Sequence, residues 1–150
     1  SYRLLFWIYT VVLIIVVVIK FRGSFIELSD NINSIKSNRL IGVWNINLIP
    51  FRSIGSQLTH INQGWALKNI IGNILTFMPF GFLLPLAYPQ NKSLARMFIV
   101  AFISILLIEV FQLITMLGTF DIDDIILNIP SILIGYGLFR FLQRLSYKYT

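Results

Sequence analysis

Seven polar side chains stand where an otherwise apolar sequence has least use for them: Asn73, Glu109, Gln112, Asp121, Asp123, Asp124 and Asn128. Glu109 and Gln112 are three apart, so on a helix they share a face. A carboxylate in apolar surroundings can act as a general base, hold a cation, or serve as a neutral hydrogen-bonding group. No Lys or Arg occurs from Met97 to Phe139, so the acids lack a basic partner in their own elements. Arg52, His60 and Lys68 upstream are the candidates; otherwise Glu109 is neutral or a cation sits beside it. Asp121-Ile122-Asp123-Asp124 precedes an apolar run, where one Asp suffices to cap a helix and meet its dipole. Three suggest more: a cation, a cationic ligand or Arg52. Their spacing matches no defined Ca²⁺ or Mg²⁺ loop, and no metal or cofactor is expected. The lone His60 reads as surface. The sequence has no Ser-His-Asp order, no phosphate-binding glycine loop and no HExxH. Zero cysteines exclude a thiolate nucleophile, a disulfide scaffold and a Cys-type zinc site.

The elements that must position these residues follow from composition. The 150 residues are 57% hydrophobic and 12% charged, against about 25% charged in soluble domains. Mean hydropathy is +0.80. Such a chain cannot hide its apolar surface in water, which argues against a soluble enzyme, a disordered chain and a nucleic-acid binder. Four apolar runs cover 4–19, 69–88, 97–117 and 125–142. A helix needs roughly 17–25 residues to cross the hydrocarbon core. The first run is short, but its flanks can extend it by snorkelling. It lacks a small-residue cleavage site and reads as an anchor. The expectation is an all-α membrane protein: one domain over 1–150, with about four transmembrane helices.

The segment 20–68 is patterned. Ser24-Phe25-Ile26-Glu27 is a capping box, followed by Phe25, Leu28, Ile32 and Ile35 at helical spacing. Ser53 is expected to cap a second short helix with Ile54, Leu58, Ile61 and Trp65 on one face, closed by Gly64. Both read as amphipathic helices at the membrane interface, or as a packed cap over the helix ends. Pro79 and Pro85 are expected to interrupt the second run. Gly135 and Gly137 should let the last helix pack closely.

The net charge of +6 reads as a topology signal and as contact with anionic lipid. With four spans, both termini share one side. Basic residues in the short segments around Arg96 and Arg144 place the termini in the cytoplasm and make 20–68 an extracellular cap. Parity carries further. The start of the second span, the end of the third and the start of the fourth share one membrane face. All seven polar residues therefore converge on one leaflet, under the cap. Glu109 lies about 12 Å below the end of its run at the α-helical rise; an acid that deep is a functional candidate.

Ordered motifs also resemble a known family. They are Asn47-Leu48-Ile49-Pro50-Phe51 followed by Arg52, the stretch Gly72 to Phe82, Glu109-Val110-Phe111-Gln112, then Gly118 to Asp124 with Asn128 and Gly135-Tyr136. Together they resemble the VanZ-like family over nearly the whole chain. The sequence departs from the family pattern at Asn128-Ile129-Pro130-Ser131, where a Thr-Leu-Gly-Ala-like stretch is usual. The resemblance implies a small integral membrane protein of Gram-positive bacteria, linked to low-level resistance to the glycopeptide antibiotic teicoplanin. Its motifs fall on Arg52, Asn73, Glu109, Gln112, Asp123, Asp124 and Asn128. The preferred expectation is a non-enzymatic protein whose polar outer-leaflet pocket binds a lipoglycopeptide or a lipid-linked envelope precursor. The alternative is a membrane enzyme acting on a lipid-linked substrate, with Glu109 or Asp124 as base or metal ligand. The expected partners are membrane lipid and that amphiphile, not nucleic acid; self-association into a homo-oligomer stays open.

Overall fold

The structure is a computed structural model and describes residues 1–19 and 25–148. Its helices are α1 (Tyr2–Ile19), α2 (Phe25–Leu40), α3 (Arg52–Thr59), α4 (Gly64–Ala87), α5 (Leu94–Thr115) and α6 (Ile122–Lys148). Two short strands, β1 (Ile46–Asn47) and β2 (Phe120–Asp121), and a 3-10 turn at Pro89–Asn91 complete the order. Three stretches are long and apolar enough to cross a membrane: Ile70–Ala87, Leu94–Thr115 and Ile122–Ser146; α1 is a shorter apolar helix. The expected all-α membrane architecture is the observed one.

Tight turns join α4 to α5 and α5 to α6, so α4 and α6 run in the same direction and α5 against them. Ser93 caps α5, its Oγ accepting from the Arg96 amide at 3.3 Å. Met116, left-handed at φ 59°, ends it and turns the chain toward β2. Met97, Ala101, Ile105, Glu109 and Gln112 form one buried stripe along α5 at spacings of three and four. Residues off that stripe, such as Leu107 and Ile114, lie exposed on the outside of the bundle, as a lipid-facing surface requires.

Helices α4 and α6 meet backbone to backbone. A Cβ on Gly81 would fall 1.8 Å from the Ile132 carbonyl oxygen, and one on Gly135 would fall 1.8 Å from that of Met78. Only glycine permits α4 and α6 to meet so closely. Gly135 thus has the expected role and Gly137 does not: nothing lies within 4 Å of the place its Cβ would take. Pro79 and Pro85 do not interrupt α4, and Pro130 does not interrupt α6. Each removes one backbone donor, but the neighbouring helices hold the segment in place. Helix α1 lies against α4. Phe6 packs on Phe80 and edge-on to Tyr88, with ring centroids 5.4 and 5.8 Å apart. Trp7 Nε1 donates to Tyr88 Oη at 2.8 Å, and Tyr9 Oη donates to the Thr76 carbonyl.

In the cap, Leu28, Ile32 and Ile35 are the less exposed stripe of α2, as the spacing predicts. Ser24, the first residue of the predicted capping box, lies outside the described residues. The second predicted helix is corrected. Helix α3 stops at Thr59, and Gly64 opens α4 instead of closing α3. Ile61 lies between the two, and Trp65 belongs to α4. Ser53 is not the cap residue. Phe51 holds that place in a left-handed conformation, φ 64°, with no side-chain cap of its own. Its substitute comes from elsewhere in the chain.

Candidate functional site

The short strands fix the geometry. β1 and β2 pair in parallel, Ile46 opposite Phe120 and Asn47 opposite Asp121. The cap is thereby joined to the turn between α5 and α6. Alternation along β1 buries Asn45 and half-buries Asn47, leaving Ile46 exposed.

Asp123 provides the missing cap of α3. Its Oδ1 accepts from the Phe51 amide at 2.6 Å, and its Oδ2 from the amides of Ser53 at 2.7 Å and Ile54 at 3.0 Å. The carboxylate is buried. A helix start presents donors with no partner in the helix, and an anion there meets both the N–H groups and the dipole. Asp121 is held as tightly. Its Oδ2 accepts from Ser53 Oγ at 2.6 Å, and its Oδ1 from Asn47 Nδ2 at 3.0 Å and the Asp123 amide at 2.9 Å. The Asp121 amide donates to Glu109 Oε2 at 2.8 Å. Glu109, 1% exposed, therefore anchors the Asp turn from within the bundle.

A second tie lies beside the first. Arg39 of α2 donates from Nε (2.9 Å) and Nη2 (2.6 Å) to Asn45 Oδ1. Nη2 also reaches the Leu113 carbonyl at the end of α5. Asn45 Nδ2 donates to the Gly118 carbonyl at 2.6 Å, and the Asn45 carbonyl accepts from the Phe120 amide at 3.0 Å. The Arg39 guanidinium lies 4.9 Å from the centre of the Trp44 ring, a cation–π contact. Deeper, Gln112 Nε2 donates to the Val17 carbonyl of α1 at 2.9 Å. Gln112 Oε1 and Asn128 Oδ1 are buried with no hydrogen-bond partner among the described residues.

The structure thus brings Glu109, Asp121 and Asp123 into one hydrogen-bonded chain with the cap. Gln112 and Asn128 are buried below it, Asn73 is half-buried on α4, and Asp124 is half-buried beside Asp123. Arg52 and Asp121 both line one pocket. Yet among the described residues its guanidinium forms no ion pair with Asp121 or Asp123, whose charges are answered by backbone amides, Ser53 and Asn47. His60 is exposed, its Nδ1 2.8 Å from the Ser56 carbonyl oxygen. No three His, Asp or Glu side chains among the described residues come together as a metal-binding group. Sequence reasoning missed Arg39, Trp44 and Asn45, and has Asn47 only as the first residue of a motif. The signal was there: Trp44-Asn45-Ile46-Asn47 alternates with period two, with both amides on one side.

One cavity lies at this end of the molecule and a second reaches toward it from the middle of the bundle. A polar pocket of about 480 Å³ lies between α2, β1 and the Asp turn, with Asn38, Trp44, Asn47, Arg52 and Asp121 among its walls. An apolar groove of about 380 Å³ runs between α1 and α5 over Phe77 and Ile132, reaching Val18 and Phe111 in the cap-end turns.

The profile of the VanZ/LLP1 family matches residues 6–143. The chain is 30% identical over 95 residues to Protein VanZ of Enterococcus faecium, an overlap of 63% of this chain and 52% of that protein. It therefore spans about half the length of that curated relative. No solved structure matches the chain at a significant level. A family match over most of the chain shows that this chain belongs to the VanZ/LLP1 family.

Proposed function

We propose that this chain is a multi-pass protein of the bacterial cell membrane that lowers susceptibility to teicoplanin-type lipoglycopeptides. In this reading it binds an amphiphile at the outer leaflet, either the lipoglycopeptide or a lipid-linked envelope precursor. Family membership supports the resistance role. The observation that carries the binding reading is the polar pocket at the cap end together with the apolar groove that reaches toward it from the middle of the bundle. A polar pocket suits a head group and an apolar groove suits an acyl tail. The carboxylates build the pocket: Asp123 holds α3, Asp121 holds Ser53 and Asn47, and Glu109 holds Asp121.

Glu109 tests it. Glutamine has nearly the same shape and keeps an acceptor for the Asp121 amide. Leucine removes the acceptor and leaves that amide unpaired, a loss of about 1–3 kcal/mol. Glu109→Gln should reach the membrane and keep most of the teicoplanin protection; Glu109→Leu should lose it. The readouts are the growth-inhibition threshold and a membrane immunoblot for each variant. If Glu109→Gln is as inactive as Glu109→Leu at equal abundance, the group works in its ionised form. The enzymatic or ionic alternative, with Glu109 or Asp124 as base or metal ligand, then replaces the binding reading.

A further inference from the structure

The end of the bundle away from the cap carries a further, separate cavity. It encloses about 360 Å³ between α4, the Pro89–Asn91 turn and α6. Phe82, Phe139 and Leu142 form its apolar wall; Lys92, Gln143 and Ser146 form its polar rim. Phe139, Leu142, Gln143 and Ser146 recur at three and four, so one face of α6 supplies most of it. The rim is built, not incidental. Tyr136 Oη donates to the Lys92 carbonyl at 2.6 Å and so fixes the turn that carries Lys92.

Charge distribution says what would fill it. All six acids of the chain are Glu27, Asp30, Glu109, Asp121, Asp123 and Asp124, and none lies between residues 31 and 108 or after 124. Lys92, Arg96, Arg140 and Arg144 gather at the acid-free end; of these Lys92 lines the cavity itself, and Arg140 and Arg144 lie on other faces of α6 at the same level. An apolar floor under a cationic rim, at the level where a bundle meets head groups, complements an anion carrying a hydrocarbon chain.

We propose that this cavity binds one anionic phospholipid, its phosphate at Lys92, Gln143 and Ser146 and the start of an acyl chain against Phe82, Phe139 and Leu142. The site is independent of the cap-end pocket and of the resistance reading.

The test is native mass spectrometry of the delipidated full-length chain. Phosphatidylglycerol and phosphatidylcholine with identical acyl chains are added back in competition. Retention of one phosphatidylglycerol in preference to phosphatidylcholine is expected. Lys92→Gln removes the charge and keeps a polar side chain, and should weaken it about fivefold, the equivalent of roughly 1 kcal/mol per basic group. Leu142→Trp fills the apolar part without changing charge and should abolish it. Lys36→Gln, on exposed α2, removes the same charge elsewhere and should change nothing; melting temperatures identify any variant that fails to fold. Equal retention of the two lipids overturns the proposal. So does a Lys36→Gln loss as large as that of Lys92→Gln, or full retention in a folded Leu142→Trp. Glycerol 3-phosphate that competes as well as the lipid would assign the rim to a soluble phosphate and also overturn it.

Discussion

Asp123 shows how one side chain can join two parts of a fold. Its two oxygens take three backbone N–H groups at the start of α3. Hydrogen bonds to a charged group contribute about 1.5–3 kcal/mol each, and an unpaired buried donor is expensive. Asp123→Asn keeps one acceptor and turns an NH₂ group toward amides that also donate. We expect it to lower stability by about 2–4 kcal/mol, within the range for breaking a buried polar network, and to expose 40–60 to protease before the bundle unfolds. Arg52→Ala should shift stability by less than about 0.5 kcal/mol, because its exposed guanidinium holds none of these oxygens. Thermal melts and limited proteolysis in detergent check both; equal losses would return Arg52 to the centre of the network. Helix parity had gathered Glu109, Asp121 and Asp123 on one face from the sequence. It had not supplied their partners, since those are mostly main-chain amides, which carry no letter. Counting Lys and Arg cannot find a partner that every residue possesses.

At the level of elements, the fold turns on two glycines and one strand pair. Gly81 and Gly135 let α4 and α6 touch through their backbones. Gly81→Ala and Gly135→Ala each place a methyl 1.8 Å from a carbonyl oxygen of the facing helix. A backbone atom cannot turn aside as a side chain can, so the helices must part. Overpacking of this kind costs about 1–3 kcal/mol or more. Gly137→Ala meets nothing and should be neutral or stabilising by up to about 1 kcal/mol, the helix-propensity difference. Melting temperatures of the three variants in detergent test the assignment; a Gly137→Ala loss equal to the others would refute it. The existence of the apolar helices was legible because twenty apolar residues have few other uses. Which glycine meets the neighbour was not, because Gly135 and Gly137 differ only in helix face. The β1–β2 pair was hidden for another reason. Two residues are too few for a period to show, and their pairing spans the chain from Asn47 to Asp121.

For the whole molecule, charge gives direction to a bundle whose helices alone do not. The acids cluster at the cap end and the Asp turn, while Lys92, Arg96, Arg140 and Arg144 occupy the other end without one. Basic residues in short segments next to apolar spans stay cytoplasmic, whereas long segments are moved across with little regard to charge. The end with Arg96 and Arg144 should therefore face the cytoplasm, together with both termini, and the cap should face outward. The chain has no cysteine, so single cysteines report cleanly. Ser34 and Thr119 are exposed at the cap end, and Gln90 is exposed at the other. An impermeant thiol reagent on intact cells should label Ser34→Cys and Thr119→Cys, and should reach Gln90→Cys only after lysis. The reverse pattern would invert the molecule. It would also put the polar pocket beyond direct reach of an extracellular lipoglycopeptide, so the binding reading would fail with it. Labelling of Ser34→Cys without Thr119→Cys would place two walls of one pocket on opposite sides of the membrane, and the four-span arrangement could not stand.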